Sequence, residues 1–148
     1  MKPKVAGQPY LPIQFIFEEF NSMHFDIENY LVVLRKKQCS IVIVIQDFSQ
    51  LEKLGSSAMK TVLSNCVSRI IYPGVSPEVA LWAQNLIGNT TIVEGDHVYG
   101  KLLLSAQEIR TLKSNQLLFL HGNQNPTILT LKPWFKQYNL KRRNRTIR

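Results

Sequence analysis

Five consecutive β-branched residues, Ile41-Val42-Ile43-Val44-Ile45, constrain the fold of this chain more tightly than any other stretch. Branching at Cβ disfavours a helix and suits a pleated strand. A strand with one solvated face alternates apolar and polar residues, and here neither face is polar. The run therefore predicts a strand buried on both sides, as parallel strands covered by helices are. It ends at Gln46-Asp47-Phe48, which puts polar groups at the strand's carboxyl end. In open α/β sheets, ligands bind outside that end.

An earlier run has the same form. Ile13 to Phe17 reads as a buried strand, and it stops abruptly at two adjacent carboxylates, Glu18 and Glu19. Two readings fit the pair: a strand end with two solvated glutamates, or a Walker-B element with one acid ordering magnesium and the other polarising water. A helix joins the two strands. Asp26 is its N-cap, Ile27, Tyr30, Leu31 and Leu34 fall at i, i+3, i+4 and i+7, and Arg35-Lys36-Lys37 places cations where the helix dipole favours them.

Downstream, Ser49 and Glu52 have capping-box spacing for a short helix stopped by Gly55. Met59, Val62, Leu63 and Cys66 mark the apolar face of a further helix from about Ser56. Val67 to Tyr72 reads as a third strand. Ser76, Pro77 and Gly88 bracket a helix whose residues Val79, Ala83, Leu86 and Ile87 face inward. Residues 89–104 are irregular or hairpin-like. Ser105-Ala106-Gln107-Glu108 is a second capping box, and two late strands follow, Leu117 to Leu120 and Ile128 to Leu131. Alternating strands and helices predict an α/β fold with a mostly parallel sheet flanked by helices.

The totals bound the function. A chain of 148 residues with 45% hydrophobic content suits one domain with a real core. No apolar run approaches the roughly 20 residues that span a bilayer. The amino-terminal residues lack a signal-peptide core, and two cysteines, Cys39 and Cys66, frame no disulfide scaffold and read as small buried thiols. A cytoplasmic location is expected. Seven of the 18 basic residues lie from Lys132 onward, where there is no acid, so the formal charge of +8 belongs mainly to the carboxyl end. Lys141, Arg142, Arg143 and Arg145 form a basic tail suited to phosphate backbones or an acidic surface, and equally to a solubilising end. The expected division is a flexible lead-in over 1–11, a domain over 12–138 and a basic tail over 139–148.

Glu19, Gln46 and Arg35 together match the parts of an oligomeric P-loop motor: a carboxylate to polarise water, a polar γ-phosphate sensor, and an arginine, usually from a neighbouring subunit, for transition-state charge. Taken singly, Arg35 also suits a solvated helix end, and Gln46 an ordinary strand end. Gly95 to Leu102 satisfies G-x-x-x-x-G-K, but it places Leu102 where magnesium needs Ser or Thr and follows the acidic pair instead of preceding it. It is a coincidental match.

The wording of several segments is more specific. Pro12-Ile13-Gln14-Phe15-Ile16-Phe17-Glu18-Glu19-Phe20 resembles the Walker-B segment of conjugative coupling proteins of the TraG/TraD type, the DNA-pumping ATPases of type IV secretion. Leu31 to Arg35 and Ile43 to Leu51 follow in family order, as do Leu63 to Cys66, Leu86 to Thr91, Leu103 to Ile109 and Leu117 to Gly122. The resemblance runs from about Leu11 to Tyr138. It implies a partial RecA-like fold of the P-loop NTPase type, the carboxyl half of a hexameric motor that uses ATP and magnesium. By position Glu18 is the magnesium-side acid, Glu19 the catalytic glutamate, Gln46 the γ-phosphate sensor and Arg35 the arginine finger. The implied partners are DNA, a TraM-like relaxosome protein, secretion-channel components and other coupling-protein subunits at the cytoplasmic face of the inner membrane.

Two departures from the family pattern qualify this. The family usually has Asp where this chain has Glu18, and the extra methylene pushes the carboxylate into magnesium's octahedral shell, which tolerates little displacement. The phosphate loop and membrane anchor belong upstream of Met1, so the isolated chain is expected to be inactive as an ATPase. The alternative is a non-catalytic truncated relative that binds DNA or a relaxosome protein.

Overall fold

The computed structural model describes residues 13–18, 26–37, 39–94 and 97–137. The chain forms two compact units, residues 1–66 and 67–148.

In the first unit β1 (Gln14–Phe17) and β2 (Ser40–Ile43) pair in parallel, Gln14 opposite Ser40 and Phe17 opposite Ile43. The ladder continues at each end, Ser40 N–H donating to Ile13 O at 3.0 Å and Val44 N–H to Phe17 O at 2.9 Å. The crossover contains α1 (Ile27–Lys36), and Asp26 caps it by accepting from Asn29 N–H at 3.2 Å. Ile27 is buried at its start. Then come α2 (Ser49–Glu52) and α3 (Ser56–Asn65), with Leu51 and Val62 buried. Glu28 ties α1 to α3 by accepting from Ser57 Oγ at 2.8 Å and Thr61 Oγ1 at 3.1 Å.

The expectation that β2 is buried on both sides is corrected. Ile41, Ile43 and Ile45 are half-buried, while Val42 and Val44 on the alternate face are exposed, as is Ile16 beside them. A two-stranded sheet has too little second layer to cover both faces. The thiols of Cys39 and Cys66 are likewise half-buried.

The second unit is built on β3 (Ser68–Ile71), β6 (Gln116–His121) and β7 (Thr127–Thr130) in the order β3-β6-β7, both pairings antiparallel. The sequence predicts a mostly parallel sheet; among the described residues parallel pairing is confined to β1–β2. The connection over 122–126 is too short for a parallel crossover, which takes about a dozen residues, so β6 and β7 form a hairpin. β4 (Asn89–Glu94) and β5 (His97–Leu102) form another, joined through residues 95–96. Lys101 accordingly lies in a strand opposite Thr90, not between a phosphate loop and a helix.

The central strand β6 carries the core: Leu117, Leu118 and Leu120 are buried, with Ile71, Val79, Ala80, Ala83 and Ile109. α4 (Pro77–Ile87) begins as its sequence dictates, Ser76 Oγ accepting from Val79 N–H at 3.4 Å, and ends at Gly88 with φ of 74°. Only a glycine adopts that left-handed conformation at little cost. The inward face is Val79, Ala80 and Ala83; Leu86, expected inside, is 49% exposed. α5 (Ala106–Arg110) opens with both halves of the Ser105–Glu108 capping box. The Ser105 backbone N–H, then its hydroxyl, hold the Glu108 carboxyl below its usual 4.5, and Lys101 adds a smaller attraction. A depressed carboxyl stabilises the fold above its unfolded pKa, and that contribution is lost as pH falls through the folded value.

Candidate functional site

The carboxyl edge of the parallel pair is where the first unit gathers polar side chains. Phe17 is the last residue of β1, so Glu18 is the first beyond the ladder, and its side chain is exposed. On β2 the chain continues past Ile43 through Val44 and Ile45 to Gln46, also exposed. Because Phe17 and Ile43 are in register, Glu18 and Gln46 leave the sheet from the same edge.

The turn after β2 is shaped by its own side chains. Gln46 N–H donates to Gln50 Oε1 at 2.9 Å, and Ser49 N–H to Asp47 Oδ1 at 3.1 Å. These bonds fix the backbone of the turn, so Gln46 is presented from a folded loop. They also correct the Ser49–Glu52 capping box: α2 starts after Phe48 with no side-chain cap, since Asp47 has already taken the Ser49 N–H.

Arg35 is placed differently. It lies in the last turn of α1, and Cys39 N–H, bonded to Leu34 O at 3.0 Å, brings the chain straight to the start of β2. The helix end is therefore at the amino edge of the sheet. With a rise of about 3.3 Å per residue, the four-residue ladder alone separates the two edges by about 10 Å. Glu18 and Gln46 thus lie beyond one edge of the pair and the backbone of Arg35 lies at the other. The Arg35 side chain, Glu19 and the tail residues Lys141, Arg142, Arg143 and Arg145 lie outside the described residues.

A cation that the sequence reading passed over lies in the second unit. Arg69 sits on β3 with its guanidinium over the Trp82 ring, 5.5 Å from the centroid. A lone arginine inside the apolar run Val67 to Tyr72 was the available signal.

With this geometry established, the family comparison is decisive. The family model described as the TraM recognition site of TraD and TraG matches residues 12–114, well over half of the chain. The chain belongs to the TraG/TraD family of conjugative coupling proteins. The match includes β1, α1, β2 and the edge carrying Glu18 and Gln46. No curated protein sequence matches.

Among solved structures, the chain is similar to the plasmid coupling protein TrwB in complex with the ATP analogue ADPNP, at 18% identity and a TM-score of 0.73, covering 84% of this chain and 32% of TrwB. It is also similar to TrwB in complex with ADP and Mg2+, at 17% identity and a TM-score of 0.73, over 86% and 32%. An unbound form of the bacterial conjugative coupling protein TrwBdeltaN70 gives 16% identity and a TM-score of 0.71, over 86% and 33%. At these identities the likeness concerns the fold, which in both is mixed α and β. The chain spans about a third of the length of the coupling proteins it matches. Among the described residues, no helix is long and apolar enough to cross a membrane.

Proposed function

We propose that this TraG/TraD-family chain supplies the carboxyl half of a RecA-like coupling ATPase motor, acting in conjugative transfer of DNA through a type IV secretion channel. The observation that carries the reading is the placement of Glu18 and Gln46 beyond the carboxyl edge of a parallel pair whose crossover helix bears Arg35. In this reading Glu18 stands on the magnesium side, Glu19 polarises the attacking water, Gln46 senses the γ-phosphate, and Arg35 serves a neighbouring subunit of a ring. A carboxylate is the donor type magnesium takes in phosphate sites, beside phosphate oxygens and water, and Glu18 supplies one on a side chain a methylene longer than Asp. Nucleotide and magnesium in TrwB complexes support the assignment by analogy.

In this reading the phosphates are held by a coupling-protein segment outside these 148 residues, since no glycine-rich phosphate loop precedes Ile13 among them. The exposed Ile13, Phe15, Ile16, Val42 and Val44 support a further covering segment, because parallel strands are normally covered on both faces. The test combines the purified chain with a separately produced coupling-protein segment that carries the phosphate loop. Magnesium-dependent ATP hydrolysis is expected from the mixture and not from either part. Robust hydrolysis by this chain alone contradicts the proposal.

A second reading is favoured by the basic tail and by Glu18 in place of Asp: a non-catalytic module that docks DNA or a TraM-like relaxosome protein at the cytoplasmic face of the inner membrane. If Lys141, Arg142, Arg143 and Arg145 each neutralise a duplex phosphate, deleting residues 140–148 lowers the slope of log affinity against log salt by about 3–4. An unchanged slope in a DNA-binding titration removes DNA contact from the tail.

A further inference from the structure

The second unit contains a cleft of about 210 Å³ whose lining includes Arg69, Leu86, Leu103, Leu120 and the turn from Gly122 to Pro126. We propose that this cleft is a docking site for an acidic, apolar peptide segment of a partner protein. The partner's carboxylate meets the Arg69 guanidinium, and a neighbouring apolar side chain lies between Leu86 and Leu103. The proposal is independent of the ATPase reading.

Three observations and one property of the guanidinium group converge on it. Arg69 pairs with Leu120 and Ile71 with Leu118, so Arg69 projects from the same face of the sheet as Ile71, among buried leucines. Trp82, which its guanidinium overlies, and Leu86 stand one turn apart on α4, so the stacked ring and the apolar wall share one helix stripe. A guanidinium positioned on an aromatic ring loses less freedom on meeting a carboxylate, and its planar fork fits that partner in a bidentate manner. Arg69 is the sole charged group among the lining residues.

The walls supply the apolar half of the recognition. Leu86 and Leu103 are 49% and 44% exposed, although both border a concave site. The opposite wall is a fixed turn: Gly122 N–H donates to Val67 O and Gln124 N–H to His121 O, each at 3.0 Å. The side-chain amides of Asn123 and Asn125 there offer donors and acceptors to a peptide backbone. Size decides the class of occupant. Small-molecule sites run to about 300–1,000 Å³, and this cleft is smaller, matching one or two side chains instead of a nucleotide. The charge of Arg69, within an otherwise uncharged lining, selects an acidic side chain in the partner.

The test is selection of a phage-displayed random heptapeptide library on the full chain, followed by anisotropy titration of a labelled enriched peptide. The enriched sequences are expected to place Asp or Glu beside Leu, Ile or Phe. Arg69→Gln and Leu103→Glu should each weaken the peptide at least tenfold, and Glu19→Gln should leave it unchanged. Leu103 is exposed, so Leu103→Glu keeps the thermal transition of the parent and guards against a folding artefact at Arg69. The proposal is overturned by no enrichment, by enrichment of peptides without acids, or by undiminished binding to either the Arg69→Gln or the Leu103→Glu variant. A labelled 20-nucleotide dT strand that displaces the peptide and loses affinity through the same two substitutions also overturns it, assigning the cleft to single-stranded DNA.

Discussion

Replacing Arg35 by alanine lowers ATP turnover by roughly 10³-fold in a motor reassembled from this chain and a phosphate-loop segment, with nucleotide affinity changed only a few-fold. Losses of about 10³–10⁵ accompany removal of an arginine that stabilises phosphoryl-transfer charge. The placement of α1 makes the prediction sharper than a simple loss. Glu18 and Gln46 leave the carboxyl edge of the β1–β2 ladder, while α1 ends beside the start of β2, at the other edge. On the proposed reading, an arginine whose backbone lies at that edge serves a neighbour's site. Mixing Arg35→Ala and Glu19→Gln chains before assembly should therefore restore activity, because a Glu19→Gln subunit donates its intact arginine to a subunit whose glutamate is intact. Turnover in the mixed assemblies that stays at the level of the separate variants would show that Arg35 serves its own subunit and would remove the trans role.

How far the residues announced this arrangement depended on whether a signal was local. The Ser76, Pro77 and Gly88 brackets of α4 and the Ser105–Glu108 box of α5 act over three or four residues, and both form as the sequence indicates. The Ser49–Glu52 box has the same spacing and does not form, because Asp47 lies two residues before Ser49 and captures its N–H. Spacing finds candidate caps, and competition between nearby acceptors selects among them. The uninterrupted β-branched run identified β2 as a parallel strand, which it is, but strand composition reports the environment of a complete sheet. Among the described residues β2 has one strand partner, and Val42 and Val44 are exposed.

The candidate site was legible to the extent that it is carried by chain order. Glu18 and Gln46 could be placed at strand ends from the apolar runs alone, and the register of β1 with β2 puts them at one edge. Strand direction in the second unit was less legible, since alternating elements suggest parallel crossovers while the β4–β5 and β6–β7 links are too short for them. The stack of Arg69 on Trp82 joins residues thirteen apart in sequence and has no periodic signature.

Leu118→Ala should destabilise the second unit by about 2–5 kcal/mol, the range for truncating a buried leucine. Leu118 has no exposed surface and stands on the central strand, between Ile71 of β3 and Ile128 of β7. Its loss removes apolar contacts on a strand paired on both sides, where neighbours are held by two ladders and cannot easily close the cavity. Against a typical total of about 5–15 kcal/mol, this is a large fraction of the stability. At about 4–8 °C per kcal/mol for a domain of this size, the transition falls by at least about 8 °C. Ile128→Ala is the control: it lies opposite Leu118 in the same register but is 42% exposed, and should cost about 1 kcal/mol or less. Both tryptophans, Trp82 and Trp134, belong to residues 67–148, so tryptophan fluorescence during urea or thermal unfolding reports this unit selectively. Equal shifts for the two substitutions would mean that β6 does not form the buried centre. A much larger shift for Leu118→Ala would establish the strand on which both Arg69's neighbour Leu120 and the wall of the cleft depend.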